Sequence, residues 1–344
     1  MDFHENFTRH ELIVDNFSAT FIVIHVICDI LGSFLNLLMI YLCLYHSPPI
    51  IKRYSLIMLN LAIADLGACL ADLFVINRII PTGYSLAFIA NGPCVFVDSS
   101  ACFIGNSIML HFFEHSFYTV IFSFAYRYYI LTRTAPKKMI LILCILIVYL
   151  PSLIQAITYS FAQDDSNEIR KTVEDRYPMY DLTGSTIYGI VDIFSFRAMY
   201  CILLDTLSIW PGYIAIFILR RKTIQKLEES VSQMRNSTRK MHRNLLKALT
   251  CQAILPFIFS ITAITYGIGQ LGILNHPFLE YLTFTTMLPI PILNPLFGIY
   301  FVRPYRSAIS RWITKRYRIS IAITPLPPVT FTTKQSSGLN QTEN

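Results

Sequence analysis

The chain has 344 residues, of which 54% are hydrophobic and only 14% are charged. A soluble domain carries roughly a quarter charged residues, whereas here the apolar residues form runs of twenty or more with the charges between them. The net charge of +7 is divided among these short connecting segments. This pattern argues against a nucleic-acid-binding domain and predicts a protein that spans a membrane.

Seven apolar runs follow one another, each near the roughly 20 residues that cross a hydrocarbon core as a helix. Their expected ranges are 19–45, 54–80, 95–126, 139–161, 194–219, 248–274 and 278–302. Backbone groups in lipid must be hydrogen-bonded within the protein, so each run is predicted to be helical. The predicted fold is an all-α, seven-transmembrane-helix bundle over residues 19–302.

The positions of the basic residues predict the orientation of the bundle. Of the 28 lysines and arginines, 22 follow the first, third, fifth and seventh runs. Basic connectors favour the cytoplasmic side, so the N-terminus is predicted outside and the C-terminus inside. Residues 1–18 then form an extracellular tail, which carries glycosylation sequons at Asn6 and Asn16.

The segment after the last run is basic. Residues 303–318 alternate arginine and lysine with aromatic and aliphatic residues, which predicts an amphipathic juxtamembrane helix on the anionic inner leaflet. A solvated basic flank is the alternative. Residues 319–344 are rich in Thr, Pro and Ser and are predicted to be a disordered cytoplasmic tail.

Polar residues inside the apolar runs are costly and are therefore candidates for function. Asn36, Asp65 and Asn294-Pro295 lie at similar depth in the first, second and seventh runs. They can share a water or cation site, or form a hydrogen-bond clamp between helices. Pro256, near the middle of the sixth run, predicts a kink that lets the inner half swing, with a static bend as the alternative.

Arg127 ends the third run, in Tyr126-Arg127-Tyr128. Its guanidinium can bridge helix ends or bind backbone carbonyls of a partner. The alternative is an anchor that extends to the membrane surface.

Six ionisable residues in or beside the runs can line a cavity for a ligand or a proton pathway: Asp72, Asp98, His111, Glu114, His115 and Asp205. Pairing of Glu114 with His111 or His115 at helical spacing is the alternative. H-x-x-E-H at residues 111–115 also matches an inverted zinc-peptidase pattern, but a third ligand is not apparent. We therefore predict no catalytic residue, metal or cofactor.

The eight cysteines include no CxxC pair, which argues against a zinc site. Cys94, Cys102 and Cys201 are expected near the outer surface, where oxidation is feasible. A disulfide from Cys94 or Cys102 to Cys201 is the candidate pairing. The long loop between runs four and five contains no cysteine.

Together these features resemble a rhodopsin-like G-protein-coupled receptor, and Cys102 stands 25 residues before Arg127, as the outer cysteine of that family's third helix does. Finer segments resemble nematode chemoreceptors, most closely serpentine receptor class delta. Tyr126 departs from the usual acid before the arginine, and Gly298 from a usual tyrosine. The segments that carry the finer resemblance are Gly92-Pro93-Cys94, residues 123–129, residues 249–256, Asn294-Pro295 and residues 301–306.

The resemblance implies a chemosensory receptor of the plasma membrane, with sensory-neuron cilia as its location. It would bind an odorant or pheromone-like small molecule and activate a heterotrimeric G protein. The alternative is a secondary transporter or another multi-pass membrane protein, although related halves are not evident. Pocket candidates are Asn106, His111, Asp205, Tyr266, Tyr281 and Phe284, and candidates for the G-protein side are Arg127, Arg133, Arg220 and Arg221.

Overall fold

The computed structural model describes residues 2–229, 236–255, 257–274 and 276–323. The chain divides into two units, Met1–Arg306 and Ser307–Asn344. The first unit contains the helix bundle and every residue discussed below as part of a site.

The helices account for most of the described chain. The first four spans are single helices, and the fifth, sixth and seventh are each divided in two. The helices are α1 (Asp2–Tyr45), α2 (Tyr54–Val75), α3 (Ser99–Thr132), α4 (Lys138–Ser160), α5 (Ser166–Arg176), α6 (Phe196–Leu207), α7 (Ile209–Glu229), α8 (Asn236–Gln252), α9 (Phe257–Gln270), α10 (Pro277–Thr285), α11 (Pro289–Phe301) and α12 (Arg303–Ile323). Within the described ranges, five stretches are long and apolar enough to cross a membrane: Phe17–Tyr45, Tyr54–Val75, Lys138–Ser160, Phe196–Glu229 and Pro277–Phe301.

A proline explains the division of the seventh span, because proline has no N–H for the carbonyl four residues earlier. Because Pro289 cannot donate to the carbonyl of Thr285, that carbonyl accepts a 3.3 Å hydrogen bond from the N–H of Leu288 instead. Helix α10 ends at Thr285. In the sixth span α8 ends at Gln252 and α9 begins at Phe257. Pro256, at which we predicted the kink, lies outside the described residues.

A three-stranded antiparallel sheet in the order β1-β2-β3 closes one end of the bundle, with β1 (Asn77–Pro81), β2 (Leu86–Ala90) and β3 (Thr186–Ile190). The prediction that the second helix continues to residue 80 is therefore wrong. The helix ends at Val75, and Ile76 has a left-handed backbone with φ of 39°. The chain then enters a strand rich in β-branched isoleucine.

Every residue of β1 and β2 is buried. Because successive side chains of a strand point to opposite faces, both faces of the sheet are buried. Ile79, Phe88 and Tyr188 belong to the hydrophobic cluster shared with the bundle, whereas Ile80 and Ile187 pack with α5 in a separate cluster. We call this end of the bundle the sheet end, and the end at which α3 finishes the arginine end.

The chain termini bear on three predictions. α1 begins at Asp2, so Asn6 and Asn16 lie in its first turns, and their glycosylation stays a prediction. α12 covers residues 303–323, and its association with a membrane surface also stays a prediction. The rest of the predicted disordered tail, 324–344, lies outside the described residues.

Candidate functional site

A cavity of about 150 Å³ lies among α3, α6, α9 and α10, next to the sheet. These helices belong to the third, fifth, sixth and seventh spans. Its lining is mainly apolar and comes from both the sheet and the helices. Its lining residues include Ile79, Leu86, Phe88, Leu110, Glu114, Phe117, Tyr159, Ile202, Asp205, Thr206, Ile209, Thr262, Tyr266, Phe284 and Met287.

Two carboxylates face this apolar cavity. Asp205 accepts a hydrogen bond of 2.6 Å from Gln155 Nε2, and Glu114 Oε1 accepts one of 2.5 Å from the Tyr118 hydroxyl. The alternative prediction for Glu114, pairing with His111 or His115, is not found. The ion pairs among the described residues involve other side chains.

The six pocket candidates divide into two groups. Asp205, Tyr266 and Phe284 line the cavity. The other three contact different parts of the bundle. Asn106 accepts a 2.8 Å hydrogen bond from Asn77, Tyr281 stacks on Phe21 with ring centroids 5.1 Å apart, and His111 lies 4.8 Å from the ring of Tyr149.

The histidines of the H-x-x-E-H segment contact α4. His115 lies 4.7 Å from the Tyr149 ring and 2.9 Å from Asn60 Nδ2. Glu114 instead faces the cavity. The acid and the two histidines therefore have different neighbours, and this arrangement does not support a zinc-peptidase centre.

A polar core joins α2, α3, α8 and α11 in the middle of the bundle. Asp65 accepts hydrogen bonds of 2.7 Å from Ser116 and 2.9 Å from Asn294. Gln252, the last residue of α8, donates a 3.0 Å bond to the carbonyl of Asn294. The core thus contacts the sixth span at the point where its first helix ends.

Asn36 belongs to the same layer but has other partners. Its amide donates to the carbonyl of Gly32 at 2.9 Å and to that of Pro291 at 2.8 Å. The second bond joins α1 to α11. Pro295 follows Asn294 within α11.

A second polar cluster lies nearer the sheet end. Of its residues, Asp72 was a candidate from the sequence, whereas His25 and Asp29 were not. His25 Nδ1 lies 2.5 Å from Asp72 Oδ2, and Nε2 lies 3.1 Å from Thr285 Oγ1. Asp29 is 1% exposed. One ligand atom from each of His25, Asp29 and Asp72 lies within 4.8 Å of the others, a spacing that would suit one metal ion. His25 and Asp29 are polar residues four positions apart in the first apolar run, and this spacing could have indicated the cluster from the sequence.

The sheet is tied to α10 by a buried ion pair that sequence reasoning also missed. Arg78 Nη2 lies 2.7 Å from Glu280 Oε2, and the guanidinium stands 4.8 Å from the Tyr180 ring and 5.0 Å from the Tyr281 ring. Tyr180 donates a 2.7 Å hydrogen bond to Glu280. Burial, with the Glu280 carboxylate beside it, raises the pKa of Tyr180, so this phenol stays a neutral donor.

At the arginine end Arg127 is 3% exposed. Its Cζ lies 3.6 Å from the centroid of the Tyr54 ring, and Tyr126 stacks on that ring at 6.1 Å. Among the described residues, Arg127 Nε and Nη2 have no hydrogen-bond partner and no carboxylate makes an ion pair with this arginine.

The other basic candidates lie near this end. Arg133 caps the end of α3 and is exposed, as is Arg221. Arg220 Nε donates a 3.2 Å bond to Thr250 Oγ1, which joins α7 to α8. Arg220 and Thr250 also line a second cavity of about 650 Å³ between these helices.

The predicted disulfide to Cys201 is wrong. Cys94 is bonded to Cys102, eight residues away, and this bond joins the short 3₁₀ helix Pro93–Phe96 to α3. Cys201 is a buried free cysteine, and its Sγ lies 3.8 Å from the carbonyl of Gln155 on α4. The local pairing is favoured because the 3₁₀ helix packs directly against the first turns of α3.

The fold is that of a seven-helix G-protein-coupled receptor. It is similar to the crystal structure of squid rhodopsin with a TM-score of 0.55, over 91% of this chain and 93% of that one, at 16% sequence identity. At this identity the likeness shows the fold alone.

The sequence profile described as "Serpentine type 7TM GPCR chemoreceptor Srd" matches residues 21–311. Serpentine receptor class delta-18 of Caenorhabditis elegans is 38% identical, over 84% of this chain and 87% of that protein. Class delta-19 of the same organism is 37% identical with the same coverage. The chain therefore belongs to the Srd family of multi-pass membrane chemoreceptors, which are receptors and not enzymes. The predicted resemblance is confirmed.

Proposed function

We propose that this protein is a chemosensory receptor of the plasma membrane that binds an odorant or pheromone-like molecule from outside and activates a heterotrimeric G protein inside. The observation that carries the proposal is the cavity of about 150 Å³ among α3, α6, α9 and α10. Such a concave, mainly apolar site with few polar groups is typical of small-molecule recognition. Sensory-neuron cilia are the expected location.

The proposed orientation has the sheet end outside and the arginine end in the cytoplasm. The 22 basic residues that follow spans one, three, five and seven support it. The Cys94–Cys102 disulfide at the sheet end also fits an oxidising exterior. The ligand would then reach the cavity from the side that the sheet covers.

Signal transfer is proposed to run along α3 and through the polar core to α8. Glu114 on the cavity wall and Ser116 in the polar core are two residues apart. Gln252 connects that core to the end of α8. A ligand that binds better when α8 is displaced selects that state, and Arg127, which lies over Tyr54, then becomes available to partner carbonyls.

The test is Arg127→Ala, with surface expression and G-protein activation measured in the same cells. We expect the variant to reach the surface and lose ligand-driven signalling. Arg176→Ala, an exposed arginine on α5, is the matched control and should signal normally. Normal signalling by surface-expressed Arg127→Ala would contradict the proposed role.

A further inference from the structure

The two acids of the cavity, buried Glu114 and half-buried Asp205, have few hydrogen-bond partners. Glu114 is 6% exposed, and its Oε2 is buried without a hydrogen-bond partner among the described residues. Its other oxygen has Tyr118 as donor. For Asp205 the hydrogen bond in the described structure is the single one from Gln155. A fully solvated carboxylate has capacity for about four such contacts, so acceptor capacity remains on the cavity wall.

In the part of the chain that the structure describes, the cavity has no cationic partner for these acids. The ion pairs among the described residues use other carboxylates, those of Asp72, Glu280 and Glu229. No lysine, arginine or histidine is among the lining residues. Two carboxylates in an apolar enclosure repel each other and lose hydration, a cost that a bound cation with N–H donors removes.

The size and the remaining wall restrict the ligand further. A cavity near 150 Å³ is on the scale that accommodates a single benzene ring. Phe117, Tyr266 and Phe284 line it, and aromatic rings attract an ammonium group across their faces. Glu114 and Asp205 would repel the negative charge of a carboxylate ligand, and the described lining residues include no basic side chain to offset that repulsion.

Resting on the proposed receptor function, we propose that the ligand is a small primary or secondary amine, bound as an ammonium ion by Glu114 and Asp205 with its apolar body against the aromatic wall. Glu114 would offer its unpartnered Oε2, and Asp205 would complete the contact from the opposite helix. No covalent step is involved.

The experiment uses the full-length receptor in lipid nanodiscs and three probe sets of matched shape. These are benzylamine and hexylamine, the corresponding alcohols, and the corresponding carboxylic acids. Binding is measured by ligand-induced stabilisation against thermal unfolding, which does not depend on a G protein. Activation is measured separately in cells with a G-protein sensor.

We expect stabilisation by the amines and little by the alcohols or acids. The isosteric variant Glu114→Gln with Asp205→Asn should weaken amine binding by at least about tenfold, since a hydrogen bond to a charged group is worth that much. Glu174→Gln with Asp175→Asn makes the same chemical change at exposed positions on α5 and should leave binding unchanged.

The outcomes separate the ligand class from the receptor function. Stabilisation by acids or alcohols in preference to amines, no stabilisation by either amine, or equal amine binding by the neutral variant overturns the ligand class. The first two of these outcomes are measured on the unmodified receptor. They therefore test the ligand class even if the variant fails to fold. Amine binding without G-protein activation supports the ligand class and counts against the proposed function.

Discussion

Among the residues that the structure describes, two arginines are buried, one near each end of the bundle, and their surroundings differ. Arg78 at the sheet end has a carboxylate at 2.7 Å and a tyrosine ring on each side. Arg127 at the arginine end has the Tyr54 ring at 3.6 Å and no carboxylate partner among the described residues. Arg78 is therefore paired with a carboxylate, whereas Arg127 lies against a ring face without one.

This difference suggests what each end does. Breaking a buried ion pair leaves an uncompensated charge, so Arg78 and Glu280 are expected to hold the sheet on α10 in every state. A guanidinium held mainly by a ring face loses less when it exchanges that ring for another partner. The sheet end is therefore interpreted as a fixed cover, and the arginine end as the part that changes partner.

The largest expected effect on stability comes from breaking the ion pair between Arg78 and Glu280. Glu280→Gln or Arg78→Met should lower the free energy of unfolding by about 3–5 kcal/mol, measured on purified receptor. Arg78→Met combined with Glu280→Leu removes both charges and should recover much of this loss. A single variant as stable as the unmodified receptor would contradict the role of a fixed cover.

A smaller effect is expected from removing the ring beneath Arg127. Tyr54→Leu should cost about 1–2 kcal/mol of stability, because the desolvated cation–π contact is lost, and should raise basal G-protein activation. Tyr54→Phe keeps the ring and is the control. Equal behaviour of the two variants would show that the ring face does not hold the arginine.

Giving Arg127 a carboxylate tests the contrast in the opposite direction. Tyr126→Asp should lower basal signalling by about fivefold, since an opposite charge within a few ångströms favours the state with Arg127 enclosed. Tyr126→Asn is the uncharged control. Unchanged basal signalling in the aspartate variant would indicate that Arg127 is already fully held.

The smallest effect concerns one hydrogen bond at the sheet end. Tyr180→Phe removes the donor to Glu280 and should lower the free energy of unfolding by about 0.5–1.5 kcal/mol. Tyr84→Phe, at a position 76% exposed, is the control for loss of a phenol. A Tyr180→Phe loss as large as that of Glu280→Gln would place the stabilisation in the hydrogen bond and not in the ion pair.

The seven spans could be predicted from the sequence because lipid imposes a local rule on every spanning residue. That rule gives no information where an apolar run leaves the bundle. The chain from residue 54 to 80 reads as one run, yet Asn77–Pro81 is a strand. This strand pairs with β2, and β2 in turn pairs with β3, where the partners Leu86 and Ile190 are 104 residues apart.

The candidate site was predictable in part for the same reason. Asp65 and Asn294 stand out as polar residues in apolar runs, and the structure joins them at 2.9 Å. Arg78 and Glu280 are 202 residues apart, and each reads alone as an ordinary charge near a helix end. Their partnership depends on the sheet, which periodicity did not reveal.

The most direct test of a movable arginine end is a reversible cross-link between α7 and α8. Arg220 and Thr250 contact each other at 3.2 Å, so Arg220→Cys with Thr250→Cys, in a Cys251→Ser background, can be bridged by a short dithiol-specific reagent. G-protein activation, basal or driven by any activating probe of the amine, alcohol and acid sets, is then measured before and after reduction.

We predict that bridging α7 and α8 abolishes activation and that reduction restores it. The same reagent should leave each single-cysteine variant active. Ligand stabilisation should persist while the bridge is in place. Full activation by a receptor shown to be bridged would contradict the claim that the arginine end opens when the cavity is occupied.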